Sequence, residues 1–266
     1  MYTLGLGPRE KALNLYRGII GHKALEAYYR RMKDGFPVEE CRDTAIDVVV
    51  KEIDYLAAET PWEFEKLTEL TRLASRLEVY AELYRTEPFE VLAVEEVFVS
   101  EMFGDTYLGF IPDLVVRYTK GKWAGELAVV DHKFSYNFKT QEELKLDSQL
   151  PKYKRALQDL GYPVRHLVFN QIRTRDLKTA EPADILRRSE HYASQKAVDV
   201  IWEEQKRTVH KIQEDSEPVR ALAPMVCKGC WFKGPCYESM EGRDISRILA
   251  IEYEKRERPL KELYSD

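Results

Sequence analysis

Apolar letters recur at helical spacing from about residue 10 to 33, and two further helical patterns cover roughly 39–58 and 62–85. The period then changes. β-Branched and aromatic residues dominate about 91–100, 107–118 and 123–133, with Thr119-Lys120-Gly121-Lys122 reading as a turn between the last two strands. A helix near 147–160, a strand at 165–172, a long helix near 188–213 and a charged helix near 241–258 complete the pattern. These elements predict an α/β fold, a mixed sheet flanked by helices. Linkers rich enough in Pro, Gly or Ser to separate independent domains are not visible, so residues 1–266 read as one domain. Within it, 10–90 is a helical region, 91–175 the core, and 188–266 a helical C-terminal region.

Two short pieces within the strands carry chemistry. Pro112-Asp113 is followed, eighteen residues after that aspartate, by Asp131-His132-Lys133. A hairpin between their strands brings Asp113 and Asp131 side by side. Alternation along a strand puts Asp131 and Lys133 on one face and the His132 side chain on the other. Two carboxylates on neighbouring strands form a hard oxygen site suited to Mg²⁺ or Mn²⁺, to which the His132 carbonyl can add a ligand. Such a site hydrolyses phosphodiesters, with Lys133 placed to polarise water or neutralise a developing oxyanion. Taken singly, Asp and Lys at a strand end are ordinary surface residues; the surrounding pattern gives them meaning.

Upstream, Gly18, His22 and Glu26 follow at i, i+4 and i+8 on one face of the first helix. Two glycines there, Gly18 and Gly21, cost roughly 1 kcal/mol each relative to alanine, which points to a close approach on that face. Downstream, Gln149 and Tyr153 stand at i, i+4 on the helix that opens after Asp147. In order, G-x-x-x-H (Gly18, His22), G-x-x-P-D (Gly109, Pro112, Asp113), D-x-K (Asp131, Lys133) and Q-x-x-x-Y (Gln149, Tyr153) resemble the RecB-like branch of the PD-(D/E)XK nuclease superfamily. The resemblance covers about residues 10–175. It implies a restriction-endonuclease-like core and a two-metal DNA exonuclease. His22, Asp113, Asp131 and the His132 carbonyl would bind Mg²⁺ or Mn²⁺, with Lys133 assisting catalysis. Gln149 and Tyr153 would hold the substrate strand or orient the active-site groups, and one of Glu95 and Glu96 is a further candidate for the site. The implied reaction is hydrolysis at DNA ends in recombination, repair or CRISPR spacer processing. Alternatives are an endonuclease of the same fold and an inactive DNA-binding scaffold. Implied partners are DNA ends together with a recombinase, helicase or integrase, and self-assembly into a homo-oligomer is compatible with it.

A second motif lies near the C-terminus. Cys227, Cys230 and Cys236 form a C-x2-C-x5-C run whose first pair has metal-knuckle spacing. Phage and CRISPR-associated RecB-like exonucleases carry a similar trio around a 4Fe-4S cluster, completed by a cysteine upstream of G-x-x-x-H. Here no cysteine precedes His22, and Cys41 is the remaining candidate for a fourth ligand. The alternatives are an iron-sulfur cluster, Zn²⁺, or three free thiols. A small buried residue is the plain reading of Cys41.

Composition narrows the class. No apolar run approaches the ~18 residues of a membrane span, and no signal peptide is apparent. With four cysteines, three of them clustered, a reducing cytoplasmic location is expected. The net charge of −5 is uneven. From Glu39 to Glu101 there are seventeen acidic and six basic residues, about −11, which leaves about +6 elsewhere. Nucleic-acid contacts would therefore fall to Lys152, Lys154, Arg155, Arg165, Arg173, Arg175, Arg187 and Arg188, with Lys206, Arg207 and Lys211 further on. No Walker A loop or dinucleotide-binding glycine run is present.

Overall fold

The structure, a computed structural model, describes residues 6–8, 13–59, 64–175, 181–191, 193–214, 227 and 230–255. In chain order the elements are β1 (Leu6–Pro8), α1 (Leu13–Lys33), α2 (Val38–Glu59), α3 (Phe64–Leu83), β2 (Phe89–Val94), β3 (Phe98–Phe103), β4 (Thr106–Phe110), β5 (Leu114–Tyr118) and β6 (Leu127–Ser135). They continue with α4 (Gln141–Lys145), α5 (Gln149–Asp159), β7 (Val164–Arg173), α6 (Pro182–Ile185), β8 (Leu186–His191), α7 (Gln195–Glu214), α8 (Lys233–Met240), α9 (Ser246–Glu252) and β9 (Tyr253–Lys255). The chain forms two compact units, one of residues 13–214 and one of residues 1–12 with 215–266.

The larger unit is built on a five-stranded mixed sheet of order β2-β5-β6-β7-β8, in which β6 and β7 are parallel and the other neighbours antiparallel. Parallel neighbours need a crossover, and α5 lies in the connection between them. The central strand β6 is buried on both faces through His132, as expected of a strand covered by helices above and below. One face carries a core shared with α1, α2 and α3, including Leu25, Leu70, Leu114, Val130 and Val168. The opposite face packs Val115, Val129, Phe169 and Leu167 against Leu150 and Leu157 of α5 and Trp202 of α7. Each fully buried large apolar side chain contributes roughly 1.5–3 kcal/mol.

Three expectations are corrected. The strand patterns 91–100 and 107–118 are each broken in two, at Glu95-Glu96-Val97 and at Ile111-Pro112-Asp113. The outer halves, β3 and β4, leave the main sheet as a separate two-stranded ladder. The β-branched and aromatic letters on both sides hide the breaks, the second of which Pro112 helps to make because it has no N–H to give to a ladder. Residues 186–191 form an edge strand, not the start of a helix, because pairing with β7 decides their state over their helical spacing. The terminal helix is shorter than its pattern, and Tyr253–Lys255 form strand β9. Short α4 has a capping box that its Thr140…Glu143 spacing announces: Thr140 Oγ1 accepts from Glu143 N at 3.2 Å, and Glu143 Oε2 from Thr140 N at 2.7 Å.

In the smaller unit β1 and β9 pair antiparallel, the Phe232 and Tyr253 rings stack at 5.0 Å, and the Tyr253 hydroxyl donates to the Trp231 carbonyl at 2.6 Å. No helix among the described residues is long and apolar enough to cross a membrane.

Candidate metal centre

The two strand breaks lie beside each other and create the site. Val94 pairs with Leu114, and immediately beyond it the Glu95 N–H donates to the Asp113 carbonyl at 3.1 Å. Glu95 is the one non-glycine residue with positive φ among those described, at 46°. A glutamate in that region is uncommon, and such strain clusters at functional positions. The kink turns the Glu95 carboxylate toward α1, where His22 Nδ1 lies 3.7 Å from Glu95 Oε1 and 3.4 Å from Asp113 Oδ2. Ligand atoms of His22, Glu95 and Asp113 all lie within 4.8 Å of one another, the only such group of His, Cys, Asp or Glu among the described residues. Glu96, the other member of the pair, turns away to Lys33 at 2.9 Å.

Continuing the β5–β6 register from Leu114↔Val130 sets Asp113 opposite Asp131, as the hairpin reading expects. Burial, reinforced by the charge of Asp113 and opposed by Lys133, raises the Asp131 carboxyl above its ordinary range. Asp113 is equally buried, yet hydrogen bonding to His22 and the charges around it outweigh that burial and hold its carboxyl low. The His132 peptide N–H contributes, donating to Asp113 Oδ2 at 2.5 Å. Burial disfavours the His22 imidazolium, but Asp113 and Glu95 outweigh it and lift its pKa to about 10.

Lys133 lies 2.7 Å from Asp131 Oδ2 and donates to Gln149 Oε1 at 2.9 Å. Burial works against its charge; Asp131 prevails and raises the pKa, so Lys133 is a fixed cation rather than a base. Gln149 in turn donates to the Tyr153 hydroxyl at 3.1 Å, and the Tyr153 ring stacks on Phe110 at 5.1 Å. The pair read from sequence as Q-x-x-x-Y thus orients Lys133. Of the predicted metal residues, His22 and Asp113 converge. Asp131 engages Lys133, and Glu95 completes the set, its positive φ being a tertiary feature that no sequence spacing signals.

The His132 side chain lies on the opposite face, stacked on Tyr29 at 5.6 Å and 12°. Asn170 Nδ2 faces its Nδ1 at 2.9 Å and donates to the Tyr80 hydroxyl at 2.6 Å. From there a buried relay runs through the Tyr29 hydroxyl, 2.6 Å from that of Tyr80, to Glu87 Oε1 at 2.8 Å and on to Arg188, whose guanidinium holds both Glu87 oxygens at 2.6 and 2.9 Å. Burial drives the His132 pKa down to about 3, so its ring is neutral. Gly21, not Gly18, is the close approach on α1: a Cβ at Gly21 would overlap the Phe134 ring, whereas one at Gly18 meets nothing within 4 Å.

The cysteines show no such convergence among the described residues. Cys227, Cys230 and Cys236 are half-buried and in no disulfide, with Cys230 N–H donating to the Cys227 carbonyl at 3.2 Å. Cys41 is fully buried in the α1–α2–α3 core, its thiol 3.6 Å from the Phe36 carbonyl, and burial pushes that thiol's pKa up, away from the ligating thiolate.

The donor set of one imidazole and two carboxylates, with a third carboxylate alongside, could hold a divalent metal ion. No family model matches the chain, and no curated protein matches it. Among solved structures it is similar to one titled "Crystal structure of SSO0001", at 14% identity over 62% of this chain and 71% of that one, with a TM-score of 0.35. A likeness that loose carries no argument about function.

Proposed function

We propose that this chain is a metal-dependent nuclease that hydrolyses phosphodiester bonds at DNA ends, as its resemblance to RecB-like PD-(D/E)XK exonucleases implies. The observation that carries this reading is the meeting of His22, Glu95 and Asp113 within 4.8 Å at the break between β2 and β5, in a neighbourhood shared with Asp131 and Lys133. His22, Glu95 and Asp113 would hold the cation, with Asp131 next to them. When bound, a divalent cation supplies Lewis acidity at the phosphate and lowers the pKa of water. Lys133, a cation held by Asp131 and Gln149, places ammonium N–H donors where negative charge develops on the phosphoryl oxygens.

The test is digestion of 5′- and 3′-end-labelled linear DNA, single and double stranded, with Mg²⁺, Mn²⁺ or EDTA. Native protein and Lys133→Ala are run in parallel, together with a closed single-stranded circle. Metal-dependent loss of label that falls at least about a hundredfold in the variant is expected. Cleavage of the circle would move the assignment to an endonuclease. Intact substrates with retarded mobility for both proteins would replace catalysis with a binding role.

A further inference from the structure

Most of the basic residues that could meet nucleic acid are already engaged. Arg155 pairs with Asp159 and Asp199, Arg165 with Glu126, Lys206 with Glu203 and Arg207 with Glu204. Lys154 is buried and donates to the carbonyls of Arg165 and Ala193, and half-buried Arg188 is paired with Glu87. By contrast, Arg173, Arg175 and Arg187 have no carboxylate partner among the described residues.

Those three stand together beside the metal centre. Lys133 on β6 is in register with Gln171 on β7, which is in register with Arg187 on β8; the next step along pairs Ser135 with Arg173. Residues two apart on a strand, and partners across a ladder, share a face, so Arg173 and Arg187 extend from the face that carries Lys133. At strand spacing their backbones lie about 8–10 Å from that of Lys133. The segment after β6 folds over them, pinned where Lys139 N–H donates to the buried Gln171 Oε1 at 2.7 Å. Its Phe138 ring takes the guanidinium of Arg173 at 4.2 Å and that of Arg187 at 4.4 Å. Arg175 lies over the exposed Tyr136 ring and donates to Asn137 Oδ1 at 3.3 Å.

Stacking on a ring fixes a guanidinium plane while leaving its N–H edge free, and Arg173 Nε is buried with no hydrogen-bond partner. Burial and the neighbouring Arg175 and Arg187 depress the Arg173 pKa, with Asp184 opposing. An arrangement that crowds like charges and withholds a partner is stabilised by an anion. We propose that Arg173 and Arg187, fixed on Phe138 and joined by Arg175, form a subsite for a backbone phosphate of the nucleic-acid strand, next to the phosphate attacked at the metal centre. This rests on the nuclease reading for the identity of the strand.

Fluorescence anisotropy tests it, with labelled single-stranded oligonucleotides bearing a 5′-phosphate, a 3′-phosphate or neither, in EDTA and across a salt series. Arg173→Gln/Arg187→Gln is expected to weaken binding on the order of tenfold or more in all three arms and to reduce the salt slope by about 0.7, the share of one phosphate on a single strand. Loss confined to one phosphorylated arm would overturn the internal-phosphate assignment in favour of a terminal one, and unchanged affinity and slope would refute the subsite. Arg187→Gln alone, at an exposed position, removes about half of that slope should the double variant melt early. The metal-dependent digestion separates the two readings. Arginine-dependent binding without cleavage by native protein leaves the subsite and removes the nuclease, whereas cleavage with arginine-independent binding removes only the subsite.

Discussion

Arg188→Met isolates the relay behind the metal centre. Arg188 and Glu87 are 17% and 3% exposed, and the pair is joined through both carboxylate oxygens, so the substitution strands a buried carboxylate that keeps only the Tyr29 hydroxyl. Two charge-assisted bonds at about 1.5–3 kcal/mol each bound the loss, and breaking buried pairs costs about 3–5 kcal/mol. Methionine keeps part of the packing that the guanidinium makes on Tyr84 at 3.8 Å, so the lower half of that range is expected. With a urea m-value of roughly 2–3 kcal/mol/M, the unfolding midpoint should fall by about 1–2 M. Glu87→Gln/Arg188→Met removes the stranded charge and should recover a large part of the loss, giving a coupling of about 2 kcal/mol in the double-mutant cycle. Equilibrium urea unfolding followed by tryptophan fluorescence and circular dichroism is the assay. A single-variant cost below about 1 kcal/mol, or a coupling within about 0.5 kcal/mol of zero, would refute the claim that this pair is a closed buried network.

Glu95→Gln should weaken Mn²⁺ binding at least about tenfold by calorimetry, while Glu96→Gln, whose partner is Lys33, should leave it unchanged; equal effects would exclude Glu95 from the ligand set. Gly18→Ala should stabilise by about 0.5–1 kcal/mol and Gly21→Ala should fall short of it by at least about 1 kcal/mol, because only the second displaces the Phe134 ring; thermal melts of the two decide. Burial raises the phenol pKa values of Tyr28, Tyr29, Tyr80 and Tyr84. Folded values above the unfolded ~10 mean that stability is intact below that pH and is lost as pH rises past it. The exposed tyrosines, such as Tyr55, Tyr107 and Tyr136, can ionise without unfolding, so the test is the last step of the 295 nm absorbance rise: it should coincide with loss of far-ultraviolet circular dichroism, and a full rise from every tyrosine in a still-folded protein would contradict the burial.

The covalent spacing of the chain determined the local terms of this site. A period of two sent Asp131 and Lys133 to one face and the His132 ring to the other. The turn residues after Tyr118 joined the strands of Asp113 and Asp131, although the connection runs on to Glu126 instead of ending at Lys122, and a period of 3.6 aligned Gln149 with Tyr153. Those relations follow from backbone geometry over a few residues, so sequence alone carries them. Other features depended on partners distant in the chain. Which of Glu95 and Glu96 turns inward was decided by a strand break that forms only when β2 meets β5 at Pro112-Asp113. Residues 186–191 became a strand because β7 offered an open edge, and that pairing separated Arg187, left at the surface, from Arg188, which was drawn onto Glu87 101 residues away. Charge and hydropathy letters are the same for both arginines. Their surroundings differ, and burial with or without a counter-charge is a property of the tertiary structure alone.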